Sequence, residues 1–126
     1  MFLKKYYLSK SKIHGIGLFA GENIEKGRII WTPSKMLSFR FTNEQLQKLP
    51  LQEQETIRHY GYFHKFHRIW HFSSEDSRHI NHSRNPNAEK LSNGDGVRAK
   101  NKIKKGEEIT QDYNDFEELR KELLIT

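Results

Sequence analysis

Two stretches in the C-terminal half of the chain decide the fold, RHINHSRNPN (Arg78–Asn87) and GEEITQDY (Gly106–Tyr113). A third, shorter stretch, GIGLFA, begins at Gly15. The interval from the first of the three stretches to the last covers most of the 126 residues. Each stretch alone is a weak signal for a function, because short motifs of this length recur in unrelated proteins. Their combination in one short chain is hard to explain by chance.

In order and spacing, the three stretches resemble the signatures of the SET-domain protein-lysine methyltransferases. The first two are similar to the family's R-F-I-N-H-S-x-x-P-N and G-E-E-L-T-x-D-Y patterns, and the third resembles its N-terminal cofactor loop. The resemblance implies a mostly β, SET-type β-clip fold of several small sheets, with a short helical insert, a C-terminal pseudoknot and a terminal helix. It also implies a protein-lysine N-methyltransferase that uses S-adenosyl-L-methionine and acts on a protein or peptide substrate bearing lysine.

An internal repeat supports this architecture independently. The pattern A-x-x-x-I-x-K-G-x-x-I begins at Ala20 and recurs at Ala99. In each copy the Lys-Gly pair, which ends at Gly27 or Gly106, is typical of a tight turn because glycine readily adopts positive φ. Alternating apolar positions on both sides predict short strands. The repeat therefore predicts a β-rich fold whose two halves use the same hairpin corner.

The stretch between the repeats predicts a helical insert followed by a hairpin. Thr42 and Gln45 form a capping-box pattern that opens a short helix. Pro50 suits the first turn of a second helix, and Gly61 suits its C-terminal end. The aromatic-rich stretch 62–72 then predicts the hairpin.

A terminal helix is expected after the last motif. Asn114 and Glu117 again form a capping-box pattern, and Phe116, Leu119 and Leu123 lie on one face of the predicted helix. The expected organisation is a single SET domain (1–126), with core motifs at 14–113, a helical insert at 42–61 and a C-terminal helix at 114–126.

Tyr113 is the candidate catalytic residue. It ends the GEEITQDY stretch, and the resemblance implies that the matching tyrosine is nearly essential for activity. A phenol beside the methyl group can orient the reacting groups without adding a charge. The alternative is a tyrosine packed under the last strand, which the neighbouring motifs make the less favoured interpretation.

The resemblance implies further site residues on both sides of Tyr113. Alone, the Gly-x-Gly stretch is only a common turn, and the alternative for His82 is a core histidine held by backbone hydrogen bonds. In the family, a pseudoknot brings the segment of Asn81 close to that of the catalytic tyrosine. The candidate cofactor-binding residues are Gly15, Ile16, Gly17, Arg78, Asn81, His82, Tyr113 and Phe116. The candidate substrate-channel residues are Tyr60, Tyr62 and Gln111.

Methyl transfer to a lysine requires that the amine, the methyl group and the sulfur lie in line, that the amine is neutral and that the tunnel excludes water. Free lysine has a pKa of about 10.4, so roughly 99.9% of it is protonated at neutral pH. A nearby sulfonium charge and desolvation both favour the neutral amine. An aromatic channel excludes water, and Tyr62 is the preferred channel residue because Tyr60 also fits the apolar face of its helix.

Three positions depart from the family pattern. Arg84 stands where the family often has cysteine, and His79 replaces the common phenylalanine. Gln111 occupies a position that is usually phenylalanine or tyrosine and that influences how many methyl groups are added. Because the chain contains no cysteine, we do not expect the zinc-bound lid of many relatives. We therefore predict that the terminal helix covers the cofactor site with Phe116 near the adenine, the alternative being that its apolar face packs on the sheet as core.

Composition sets broader limits. No apolar run approaches the ~20 residues of a membrane helix, and the absence of cysteine fits an intracellular, cytoplasmic protein, or a nuclear one in a eukaryotic host. The formal net charge is +6. A basic nucleic-acid module is a less favoured alternative, because the lysines are scattered rather than arranged in a stripe. A basic domain also suits a basic lysine substrate poorly.

Two further alternatives concern the site itself. One is a SET-like module that binds cofactor or a protein but has weak or no turnover, which the Gln111 departure favours. The other is a metal site at His64, His67 and His71. On the expected hairpin only His67 and His71 share a face, so no metal is expected. The substrate protein, the number of methyl groups added and the oligomeric state stay open.

Overall fold

Short strands dominate the computed structural model, which describes residues 1–92 and 96–117. This mostly β architecture, with a short helical insert, confirms the fold predicted from the sequence. The strands of the described residues are β1 (Tyr6–Lys10), β2 (Ile16–Ala20), β3 (Ile29–Trp31), β4 (Ser38–Phe41), β5 (Tyr62–His64), β6 (Ile69–Ser73), β7 (Asn81–His82), β8 (Ala88–Lys90), β9 (Val97–Ala99) and β10 (Thr110–Gln111). The helices are α1 (Asn43–Gln47) and α2 (Leu51–Tyr60), with 3₁₀ turns at Asp76–His79 and Tyr113–Asp115.

The strands of the described residues form four small sheets. β1 and β2 make an antiparallel hairpin, while β3, β9 and β8 form one three-stranded sheet and β4, β6 and β5 another. The fourth sheet is the parallel pair β10 and β7, in which Thr110 faces Asn81 and Gln111 faces His82. Parallel neighbours need a long connection, and here it brings the two motif stretches of the C-terminal half side by side.

The internal repeat pairs with itself at the centre of the fold. Ile24 and Ile103 exchange reciprocal backbone hydrogen bonds of 2.8 Å and are both fully buried. Gly27 and Gly106, at the corresponding corners, have φ values of +86° and +92°. Both glycines adopt the left-handed conformation that the repeat predicts, because a side chain is strained there.

Two apolar clusters bury the sheets. The larger joins β2, β3, β8 and β9 with the repeat, and the smaller packs the insert on the β4–β6–β5 sheet. The larger cluster comprises Leu18, Ala20, Ile24, Ile30, Trp31, Ile80, Ala88, Val97, Ala99, Ile103 and Ile109. The smaller comprises Leu46, Ile57, Phe63 and Trp70.

The predicted helical insert is confirmed at its boundaries. Thr42 caps α1 with the expected capping box to Gln45, and Pro50 immediately precedes α2. Gly61 ends α2 with a φ of −90°, so positive φ is not the reason for glycine here. An added Cβ would lie 2.6 Å from the backbone oxygens of Ile57 and His71. Glycine is required because α2 ends directly against β6.

The predicted terminal helix does not begin at Asn114. Asp112 caps a single 3₁₀ turn by accepting a hydrogen bond from the Asn114 N–H. The backbone of Lys65 then donates to Phe116, and Glu117 forms a β-bridge with His64. These extended contacts occupy the residues that would have formed the first helical turn. Leu119 and Leu123, which were predicted on the same helix, lie outside the described residues.

No helix in the described ranges 1–92 and 96–117 has the length and apolar character needed to cross a membrane.

Candidate active site

A large aromatic pocket lies between the β4–β6–β5 sheet, the end of β8 and the segment that follows β10. The space that it outlines, open solvent included, is roughly 920 Å³. The side chains predicted from the sequence that line this pocket are Tyr60, Tyr62, Arg78, Gln111, Tyr113 and Phe116. Gly15, Ile16, Gly17, Asn81 and His82 do not line it. The predicted site residues therefore fall into two adjoining groups.

Tyr113 is held where these two groups meet. Its backbone N–H donates to Nδ1 of His82 at 3.0 Å, and its phenol donates to the carbonyl oxygen of Ile80. Because Nδ1 of His82 accepts this bond, the neutral imidazole carries its proton on Nε2. The Asp112 carboxylate lies 3.7 Å from the same Nδ1, too far for a hydrogen bond. The β7–β10 pairing thus fixes both ends of Tyr113.

Asn87 ties β10 to the rest of the site. Its side-chain oxygen accepts from the Thr110 N–H at 2.9 Å, and its amide donates to the Glu108 carbonyl at 2.8 Å. The backbone oxygen of Asn87 also accepts from Lys100 at 2.8 Å. A single asparagine, as both donor and acceptor, thereby anchors the backbone just before Tyr113.

Asn81 and Glu108 hold the glycine loop, the segment from Gly15 to Gly17, in place. The Asn81 amide nitrogen donates to the carbonyl oxygens of His14 (3.0 Å) and Ile16 (3.4 Å), and to Glu108 (2.9 Å). A Cβ added at Gly17 would lie 2.5 Å from Oε2 of Glu108. Gly17 is therefore needed for the approach of this carboxylate, and Asn81 positions the loop.

The mouth of the glycine loop is open. Gly15 has a φ of +47°, and a Cβ added there would meet no atom within 4 Å. Ile16 is 53% exposed although it begins β2. The loop accordingly has open space beside Gly15 and an uncovered apolar side chain at Ile16.

Phe116 and Tyr62 form the aromatic wall next to Tyr113. The Phe116 ring is 4.8 Å from that of Tyr62, edge to face, and 5.8 Å from that of Tyr113. Phe116 is only 5% exposed. Tyr62 stacks on His71 at 5.3 Å, with its phenol oxygen 3.5 Å from Nδ1 of His71. The placement of Phe116 near the adenine stays a prediction, and its described contacts are with pocket aromatics.

The histidine cluster differs from the prediction. His64 and His67 stack face to face with ring centroids 3.8 Å apart, although alternation along a strand predicts opposite faces. The reason is that residues after His64 leave the strand in a tight turn, where Arg68 has a φ of +55°. Nδ1 of His67 and Nε2 of His71 are 3.2 Å apart. Within 1–92 and 96–117, no three His, Asp or Glu side chains are arranged to hold a metal ion.

Tyr60 and Gln111 differ widely in exposure within the pocket. Tyr60 is 41% exposed, and the Arg78 guanidinium lies 4.6 Å above its ring. Tyr60 therefore does not pack on the apolar face of α2. Gln111 is only 4% exposed, and its amide nitrogen has no hydrogen-bond partner among the described residues. A buried amide without a partner is costly and needs an explanation.

The segment that carries Arg78 is held by two polar contacts. The indole N–H of Trp31 donates to Glu75 at 2.6 Å, and the Tyr6 phenol donates to Asp76 at 2.8 Å. Burial raises the pKa of the Tyr6 phenol above its ordinary value, and the bond to Asp76 raises it further. These contacts fix the 3₁₀ turn that forms one side of the pocket.

Sequence reasoning missed the roles of Asn87, Glu108 and Trp31. Asn87 and Glu108 stand inside the two quoted motif stretches, so their position was a signal. Their function is to hold the backbone, which cannot be read from residue type alone. Trp31 lies outside every motif, and only the tertiary structure places it against the pocket.

Comparisons with known proteins bear on this arrangement. The family model described as SET domain matches residues 15–114. Among curated proteins, the chain is 32% identical over 127 residues to the histone-lysine N-methyltransferase, H3 lysine-36 specific, of Candida albicans. That alignment covers 87% of this chain but 14% of the relative, so the chain spans a small part of the relative's length.

Solved structures give the same fold. A Plasmodium falciparum protein, solved as a candidate histone methyltransferase, is 28% identical with a TM-score of 0.63, covering 87% of this chain and 93% of that one. The Polycomb Repressive Complex 2 of Chaetomium thermophilum bound to S-adenosylmethionine is 22% identical with a TM-score of 0.69. It covers 97% of this chain and 16% of that one. At this identity the second likeness concerns the fold alone.

Proposed function

Because the chain belongs to the SET-domain family, we propose that it is a protein-lysine N-methyltransferase that uses S-adenosyl-L-methionine. The observation that carries the proposal is the position of Tyr113. Its backbone is held by His82 and its phenol by Ile80, at the point where an aromatic pocket adjoins the glycine loop. A polar hydroxyl fixed beside an apolar channel is what methyl transfer to an amine requires.

The described residues fit the cofactor. When bound, S-adenosyl-L-methionine supplies a methyl group on a positively charged sulfur. The open space beside Gly15 and the exposed Ile16 are the surface that would hold it, together with His82 on β7. Asn81 supports this surface from behind through its bonds to the His14 and Ile16 carbonyls.

The pocket side chains prepare the substrate amine. Tyr62 and Phe116 surround the aliphatic stem of a lysine and exclude water, so the ammonium loses its hydration and its pKa falls. The Tyr113 phenol orients the amine without adding a charge. Gln111 presents a buried amide nitrogen, without a hydrogen-bond partner among the described residues, to the same pocket.

The substrate is a lysine in a protein or peptide. The printed names of two relatives refer to histones, and two arginines, Arg40 and Arg78, line the pocket of this chain. With a net charge of +6, the domain favours a lysine flanked by acidic or neutral residues. The relatives lend no support to the cytoplasmic location expected from composition.

The first test measures binding and transfer separately. Thermal stabilisation by S-adenosyl-L-methionine reports binding, and transfer of a labelled methyl group to proteins of an extract reports turnover. We expect Tyr113→Phe to retain folding and cofactor binding but to lose about 10²-fold or more in turnover, the scale of one placed polar group in a water-free site. Tyr7→Phe is the matched control, because Tyr7 lies on the exposed β1 strand outside the pocket.

The outcomes separate two functions. Stabilisation without methyl transfer to any protein would identify a SET-like binding module, the alternative that the Gln111 substitution favours. Equal turnover by the Tyr113→Phe variant and the wild type would remove Tyr113 from its assigned role.

A further inference from the structure

The aromatic pocket is entered by a lysine of the chain itself. Lys90 is the last residue of β8, and its Nζ lies 5.7 Å from the ring centroid of Trp31, 5.3 Å from that of Tyr62 and 4.7 Å from that of Phe116. The three rings come from β3, β5 and the segment after β10. An ammonium group facing several aromatic rings within about 6 Å is a favourable cation–π arrangement.

The direction of this side chain follows from strand alternation. Successive residues of a strand point to opposite faces. Glu89 pairs with Arg98 through a contact of 3.2 Å between Oε1 and Nε, on the solvent side of the β8–β9 pair. Lys90 is therefore on the pocket side, and it lines the same pocket as Tyr113.

The rings that surround Lys90 are fixed by contacts of their own. The Trp31 indole donates to Glu75, and Tyr62 stacks on His71. Phe116 packs against the Tyr113 ring at 5.8 Å, so one aromatic ring separates Lys90 from the candidate catalytic residue. The pocket is preorganised around an alkylammonium, the group that a substrate lysine presents.

We propose that Lys90 is a self-methylation site of this domain, an inference that rests on the proposed function. With S-adenosyl-L-methionine bound, a second positive charge nearby disfavours the ammonium, and its proton leaves to solvent. The neutral Nζ of Lys90 then takes the methyl group. An N–C bond forms as the C–S bond breaks, and the bonding electron pair stays on sulfur. The products are methyl-lysine and the neutral thioether.

Self-methylation is measured on the full chain. The purified protein is incubated with S-adenosyl-L-methionine carrying a deuterated methyl group, and the modified lysine is located by peptide mass spectrometry. We expect label on Lys90, with a first-order rate that is unchanged by tenfold dilution because the reaction is intramolecular. Lys90→Arg removes this label and keeps the positive charge.

Lys65 provides the matched control. Its Nζ also faces an aromatic ring, that of Phe66 at 5.1 Å, but this contact lies outside the large pocket. Lys65→Arg is expected to leave the label on Lys90 unchanged. A cation–π contact alone therefore does not predict methylation, whereas a position in the pocket does.

A second measurement does not depend on activity. In the cofactor-free protein, the ε-methylene protons of Lys90 are expected to resonate upfield of those of other lysines, because three ring currents shield them. NMR with Lys90→Arg for assignment tests this, and random-coil shifts for Lys90 would show that the side chain is not in the pocket and would overturn the proposal.

Different results would refute self-methylation of Lys90 and the proposed methyltransferase activity. Label on other lysines or on an added protein extract, with none on Lys90, refutes self-methylation and leaves the activity standing. Cofactor binding with no label on any protein refutes the methyltransferase activity, and self-methylation with it.

Discussion

Replacement of Gln111 by methionine is expected to stabilise the protein. Gln111 is 4% exposed at the end of β10, and its amide nitrogen has no partner among the described residues. Methionine has a similar length and flexibility but no polar group. The substitution therefore removes a buried group without a hydrogen bond and leaves little empty volume.

The magnitude follows from the cost of an unsatisfied buried polar group. Such a group costs about 1–3 kcal/mol, and a volume-conserving apolar exchange costs less than about 1.5 kcal/mol. We expect Gln111→Met to gain about 1 kcal/mol in the free energy of unfolding. Turnover is expected to fall at unchanged cofactor affinity, because the pocket beside Tyr113 loses its buried amide.

Urea unfolding of the wild type and the variant measures the first quantity, and methyl transfer at saturating cofactor measures the second. Gln111→Glu is the matched comparison, because it keeps the shape but loses the amide donors. If Gln111→Met is less stable than the wild type, the amide is satisfied in solution and the reasoning is wrong. If the variant is more stable but equally active, Gln111 has no role in orienting the amine.

Two further predictions concern the frame of the site. Asn87→Ala is expected to lower the free energy of unfolding by about 2–4 kcal/mol, because it removes two hydrogen bonds and leaves the Thr110 N–H without a partner. Asn87→Asp keeps the bond to Thr110, so its free energy of unfolding should lie between those of the wild type and Asn87→Ala. Equal stability of all three proteins in urea would contradict this role. The raised pKa of the Tyr6 phenol implies stability that is present below the ordinary tyrosine pKa of about 10 and is lost as pH rises through the higher folded pKa. In urea unfolding, the difference in free energy of unfolding between the wild type and Tyr6→Phe should therefore decrease between about pH 9 and 12. A difference that stays constant over this range would contradict the prediction.

Local features were predictable where a single residue type has a strong local preference. Thr42 caps α1 as predicted because its side chain and Gln45 satisfy backbone groups only three residues away. Gly27 and Gly106 adopt positive φ because the turn chemistry is contained in the Lys-Gly pair. Gly61 ends α2 as predicted, but the reason, close contact with β6, was not visible in the sequence.

The errors arose where long-range contacts overrode a local pattern. The capping-box pattern at Asn114 predicts a helix, yet the backbone there pairs with the hairpin turn at His64 and Lys65. The same turn brings His64 against His67, although strand alternation separates them. In both cases hydrogen bonds or stacking between distant segments outweighed a weak local preference.

By itself, the sequence determined the family, the internal repeat with its Lys-Gly turns and the identity of Tyr113 as the candidate catalytic residue, whereas the pairing of Ile24 with Ile103 came from the structure. Motifs and turns are local in sequence, so residue types suffice to recognise them. Only the tertiary structure decided that Asn87 anchors β10 and that Lys90 enters the aromatic pocket. Both depend on which strands pair and in which register, and a shift of one residue would turn Lys90 to solvent.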